Sequence, residues 1–203
     1  MPEILRITQQ KKHPDRYNLF LDNDERISIT ADMIIKYRLS SGISLNDKEL
    51  REIKKTADIV FTREKAIELL SLRDHGSGEL KVKLLQKGYD KDIIAKVIRH
   101  LLARDYINDR RFAEMFANEL IRVKHLGPYK VKEKLFQRGV GADIISQLLA
   151  DYDNTEQIQN CRYHFEKKHK RLIEEDPEKR KQKIIRFLQG KGFSWNIISQ
   201  VLN

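Results

Sequence analysis

One cysteine, Cys161, stands in the whole sequence, so no internal disulfide can form, and a lone thiol suits a reducing cytoplasm. Apolar runs of membrane-spanning length are absent, as is an apolar stretch behind a basic N-terminus. Neither a membrane span nor an export signal is therefore expected. Aromatic residues make up only 8% of the chain against 34% charged, the balance of a helix-rich protein with a polar surface. Metal ligands are equally sparse. Cys161, His164 and His169 lack a second ligand pair at finger-like spacing, so Cys161 reads as a core residue beside surface histidines. Gly76-Ser77-Gly78 and Gly190-Lys191-Gly192 lack the flanking strand and the full spacing of a phosphate loop. No Ser-His-Asp or Cys-His set is suggested, and the acidic residues show no convergent pair. An enzyme is not expected, and neither is a cofactor.

What is present in excess is positive charge. The net charge is +10, and it is unevenly spread. Residues 1–60 are nearly balanced, with 11 Lys/Arg against 10 Asp/Glu, whereas Cys161–Lys191 holds 11 basic and 5 acidic residues. Such a surface calls for an acidic partner, of which nucleic acid is the commonest.

A second excess is internal repetition. Gln86-Lys87-Gly88-Tyr89-Asp90 through Ile94 returns as Gln137-Arg138-Gly139-Val140-Gly141 through Ile145, and again as Gly190-Lys191-Gly192-Phe193-Ser194 through Ile198. Leu80, Val131 and Ile184 align upstream, as do Leu84, Leu135 and Leu188. A period near 50 residues marks a helical array whose units share a core. At each corner a cation ends a helix, where the helix dipole is negative. Gly88, Gly139 or Gly192 then supplies the left-handed residue that closes it. Tyr89, Val140 or Phe193 folds back on the helix just ended and staples the next one.

The expected fold is mainly α: three tandem three-helix repeats in an elongated array behind a small β meander with two helices. Residues 3–30 alternate as strands, with a turn at Asp22–Glu25. Thr30 is placed to cap a short helix over Ala31–Leu39, and Asn46 with Glu49 has capping-box spacing for another. Residues 1–60 then form an accessory module, with repeats at 61–106, 107–153 and 154–203. The predicted repeat helices are Thr62–His75, Ser77–Lys87 and Lys91–Asp105, then Asp109–His125, Pro128–Arg138 and Ala142–Asp151. Those of the third repeat are Thr155–Ile173, Pro177–Lys191 and Trp195–Asn203.

The second helix of each repeat carries a basic set. Lys81, Lys83 and Lys87 match Lys132, Lys134 and Arg138, and the third repeat offers Lys179, Arg180, Lys181, Lys183, Arg186 and Lys191. Two readings stand. The sets are solvated faces, partly paired with Glu174, Glu175, Asp176 and Glu178, or stacking joins them into a stripe that meets phosphate.

Three segments carry a resemblance: Ser77-Gly78-Glu79-Leu80 running to Lys87-Gly88, Asn108-Asp109-Arg110-Arg111-Phe112-Ala113, and Gly127-Pro128 leading to Arg138-Gly139. In order and spacing they resemble the RecX family of recombination regulators over residues 62–203, with Asn108 in place of an acidic residue. The first 60 residues resemble the longer members from low-GC Gram-positive bacteria. The resemblance implies a cytoplasmic bacterial protein that binds the RecA filament and its single- or double-stranded DNA, suppressing ATP hydrolysis and strand exchange; a monomer is expected. In the second motif Asp109 reads as a helix N-cap and Phe112 as a core anchor. A basic helical-repeat protein that binds DNA without RecA is the alternative.

Overall fold

The protein is described by a computed structural model covering residues 1–173 and 176–202. Its N-terminal strands are Ile4–Gln10 (β1), His13–Leu21 (β2) and Arg26–Thr30 (β3). They form an antiparallel meander in the order β1-β2-β3, with Tyr17 opposite Ile29 and Leu19 opposite Ile27. Strand alternation sends Leu19, Leu21, Ile27 and Ile29 to one face, where they bury with Ile4, Met33, Leu45, Ile53 and Ala57. Helix α1 spans Ala31–Lys36, shorter than expected, because Arg38 turns left-handed (φ 50°) and closes it. Thr30 makes no side-chain cap bond there.

Asn46 and Glu49 do form the capping box. Asn46 N donates to Glu49 Oε2 at 2.9 Å, and Glu49 N donates to Asn46 Oδ1 at 2.9 Å. The helix they open, α2, runs unbroken over Asp47–Leu72. Two helices were expected here. Nothing between Ala57 and Ala66 can break one, and Ile53, Ala57, Thr62, Ala66 and Leu69 make a continuous buried stripe, so the pattern merges across Thr62.

The remaining helices are α3 (Ser77–Gln86), α4 (Lys91–Ala103), α5 (Asp109–Asn118), α6 (Pro128–Gln137), α7 (Ala142–Ala150), α8 (Asn154–Arg171), α9 (Pro177–Gly190) and α10 (Trp195–Leu202). The chain divides into two compact units. One gathers residues 1–72 and 83–100, the other residues 73–82 and 101–203. In the second unit, Phe112, Leu120, Val131, Leu135, Val140 and Ile145 form one core; Cys161, Ile184, Leu188, Phe193, Ile197 and Ile198 form another. Cys161 and Phe112 are therefore core residues, as the sequence indicates.

The three corners are conformational copies. Gly88, Gly139 and Gly192 have φ of 84°, 75° and 92°. Behind them Tyr89 N, Val140 N and Phe193 N donate to the carbonyls of Leu84, Leu135 and Leu188 at 3.2–3.3 Å, the bond that closes a Schellman turn. Within the second unit the corners do more than turn the chain. A Cβ placed on Gly78 would lie 2.7 Å from Gly139 Cα, and one placed on Gly127 would lie 2.4 Å from the Gly192 carbonyl oxygen. Gly127 N donates to the Lys191 carbonyl at 2.9 Å, and Tyr129 N to that of Gly192 at 3.1 Å. The Gly139 and Gly192 corners thus rest, backbone on backbone, against the start of the preceding repeat's second helix.

The segment before α3 is closely packed too, since a Cβ on Gly76 would meet the Phe112 ring at 2.9 Å. One residue differs from expectation. Asp109 does not cap its own helix. Asn108 takes that place, accepting from Arg111 N at 3.0 Å, while Asp109 accepts from Ser77 N and Ser77 Oγ at 2.6 Å each and so ties down the start of α3.

Candidate functional site

After Asn118 the α5 helix widens into a π-helical turn over Glu119–Val123. Lys124 N reaches back to the Glu119 carbonyl at 3.1 Å, and His125 adopts a left-handed φ of 52°. The opened turn is held by a buried polar cluster. Asn160 on α8 donates through Nδ2 to the Ile121 carbonyl (3.2 Å) and to Tyr152 Oη (2.8 Å), and accepts at Oδ1 from His125 Nδ1 (2.7 Å). Tyr152 Oη donates to the Leu126 carbonyl at 3.0 Å. Burial pushes the Tyr152 phenol up to about 12, so it stays a donor.

Above this cluster, still within the second unit, lies a cleft of about 660 Å³ between the π-helical turn, α6, α8 and α9. Its cations are Lys124, Lys134, Lys167, Lys168, Arg171 and Lys191, and its rings are Tyr163, His164 and Phe187. No carboxylate lines it among the described residues. Among the described residues, Lys124 is the cleft cation ion-paired to a carboxylate, Glu119 at 2.6 Å. The others are arranged by rings. Lys167 Nζ stands 4.3 Å from the Tyr163 ring centre, and Lys168 and Lys191 each place Nζ 5.3 Å from that of Phe187. His164 is buried, not on the surface as the sequence suggests, and donates through Nε2 to the Lys124 carbonyl at 3.2 Å. Burial holds its imidazole below the ordinary range, and the Lys191 charge adds to this. It is thus a neutral wall, not a cation.

The basic residues singled out in the sequence divide three ways. Lys134 and Lys191 reach the cleft. Arg138 is committed elsewhere: it pairs with Glu79 and lies over the Phe116 ring at 5.1 Å. Glu79 also receives Arg73 (2.5 Å) and His75 Nδ1 (3.0 Å). Burial raises the Glu79 carboxyl, but the bonds from Arg73 and His75 and the Arg138 charge outweigh it, bringing it down to about 2. Lys81, Lys87, Lys132, Lys179, Lys181, Lys183 and Arg186 are exposed outside the cleft, and Lys83 is half-buried. Lys179 meets Asp176 at 3.5 Å, and Arg180 donates to the His169 carbonyl at 3.2 Å. Glu174 and Glu175 lie outside the described residues. Lys124, Lys167, Lys168 and Arg171 were missed by following second helices alone. The run Lys167-Lys168-His169-Lys170-Arg171 at the end of a first helix was the available signal.

Known proteins give a consistent comparison. The model of the regulatory protein RecX N-terminal domain matches residues 2–46, and those of the first, second and third RecX three-helix domains match 63–101, 108–149 and 155–202. The regulatory protein RecX of Clostridioides difficile (strain 630) is 30% identical over 200 residues, covering 98% of this chain and 94% of its own. That of Bacillus subtilis (strain 168) is 30% identical over 203 residues, covering 100% of this chain and 77% of its own. A crystal structure of a regulatory protein RecX superposes with a TM-score of 0.71 at 22% identity, over 99% of this chain and 98% of that one. The structure of RecX from Lactobacillus salivarius gives 0.64 at 26% identity, over 72% of this chain and 96% of that one.

Proposed function

The chain belongs to the RecX family of regulatory proteins, and from that membership we propose that it binds the RecA–DNA filament and restrains it without chemistry of its own. In this reading the protein acts in the cytoplasm as a monomer. It lowers RecA ATP hydrolysis and strand exchange, and so tempers homologous recombination and the SOS response to DNA damage. Residues 61–106, 107–153 and 154–203 serve as the three repeats, with 1–60 as an accessory module. A regulator of this kind works by binding one state of its target better than another; the differential affinity is the whole of its effect.

The observation that supports the reading is the cleft between the family-matched second and third domains, whose cations lack carboxylate neighbours in its lining. Cations brought together with only Lys124 paired among the described residues, to Glu119, attract the phosphates of a filament's DNA. The same observation favours the second reading, direct binding to DNA, because phosphate alone satisfies such a site.

RecA-dependent ATP hydrolysis on single-stranded DNA tests the first reading. Substoichiometric protein should slow hydrolysis, and an unchanged rate at equimolar protein would reject it. Equal affinity for bare and RecA-coated DNA at physiological salt would favour the second.

A further inference from the structure

The Phe187 ring poses a problem of charge. Lys168 of α8 and Lys191, just past the end of α9, both place their ammonium groups over it, each 5.3 Å from its centre. Neither is ion-paired to a carboxylate among the described residues, and Lys134, Lys167 and Arg171 share the same cleft. Like charges gathered on one low-dielectric wall repel, and an anion seated among them relieves that repulsion. We propose that this cleft is a nucleotide site: a phosphate is held by Lys168 and Lys191, with Lys134, Lys167 and Arg171 at its rim, and the base packs against the Tyr163 side.

Three features select a nucleotide over other anions. The volume, about 660 Å³, falls within the ~300–1,000 Å³ typical of small-ligand sites, room enough for one nucleotide. All but one of the cations are lysines, point charges suited to phosphate, whereas carboxylate recognition favours the paired donors of arginine. Aromatic side chains interleaved with cations are the means by which proteins hold unpaired nucleotides, the ring taking the base and the cation the phosphate. The floor is prepared as well, since Asn160 fixes the π-helical turn and the neutral His164 adds no charge of its own.

The inference rests on the proposed function only for the source of the nucleotide, a strand within the filament; a free nucleotide has the same chemistry. Fluorescence anisotropy of a labelled oligothymidine, without RecA, reads the site. The parent should bind it, and K168Q/K191Q should bind at least ten-fold more weakly. The slope of log affinity against log salt should then fall by about 0.7, since Lys168 and Lys191 share one phosphate and each phosphate contact on a single strand carries about 0.7. K167Q/R171Q, which alters two exposed residues, should weaken binding in the same direction and serves if the first variant does not fold. K132Q, outside the cleft, should bind as the parent does. Unlabelled thymidine monophosphate that competes as well as the oligomer would assign the site to free nucleotides, with the chemistry upheld. A poly-glutamate peptide that competes equally would overturn the nucleotide assignment, as would parental affinity and slope in both cleft variants, or no binding by the parent. RecA hydrolysis measured alongside separates the two claims. Loss of oligonucleotide binding with RecA inhibition intact upholds the cleft and removes it from the filament contact. Cleft-dependent binding with no effect on RecA upholds the cleft and rejects the filament reading.

Discussion

Asn160 Nδ2 lies 3.2 Å from the carbonyl oxygen of Ile121, so a side chain of the third repeat completes a backbone bond that the π-helical turn of the second leaves open. The same amide serves Tyr152 and His125, and Asn160 is only 6% exposed. Asn160→Ala should therefore cost about 1–3 kcal/mol, the penalty for leaving buried polar groups unpaired. Urea unfolding measures it. Asn160→Asp should do no better, because a carboxylate cannot donate to Ile121 or Tyr152. Parental stability in either variant would show that water replaces the amide.

The glycines should fall into ranks. Gly88→Ala meets only backbone strain, as nothing lies within 4 Å of its would-be Cβ, and should cost about 1 kcal/mol. Gly139→Ala and Gly192→Ala add a collision with backbone atoms and should cost about 1–3 kcal/mol more. Gly78→Ala and Gly127→Ala should also be costly, although their φ is not left-handed, and Gly76→Ala should exceed Gly88→Ala unless Phe112 yields. Thermal melts of the six variants check the order. Equal losses throughout would contradict the interlocked corners.

Glu79 sets an acid limit. Its folded value, about 2, lies below the ordinary 4.5, so the native state favours the ionised form. The stability this contributes is complete above the ordinary value and is lost as pH falls from 4.5 toward 2. Unfolding free energy should drop across that window in the parent and drop less in Glu79→Gln, which should also be weaker by about 1–3 kcal/mol at neutral pH. Parallel pH profiles for the two proteins would reject the assignment.

Cys161 should be silent to thiol reagents in the native state. Burial alone raises it to about 11, and no atom of it reaches solvent. Labelling by a disulfide reagent at mildly alkaline pH should proceed only as fast as the protein opens, and become immediate in denaturant. Rapid native labelling would mean that the third core opens locally.

The corners were legible because their chemistry is local: a cation, a glycine and an apolar residue determine one turn, and all three positions reproduce it. The capping box of Asn46 and Glu49 was legible for the same reason. What escaped was decided between elements. Asp109 sits where an N-cap belongs, yet it caps a helix start 32 residues upstream, and no window of sequence shows that partner. Arg138 looks like Lys87 in the repeat, but its fate follows from Glu79, 59 residues away. The cleft brings together cations from four segments, of which second-helix reasoning held only Lys134 and Lys191.

The paired glycines also bear on how such a chain can evolve. Because Gly78 meets Gly139 and Gly127 meets Gly192 through main-chain atoms, the seating of one repeat on the next owes little to side-chain identity. Substitutions can then accumulate over the outward helix faces while the joints stay fixed. The surfaces that choose a partner are free to diverge, and the glycines at the joints are not.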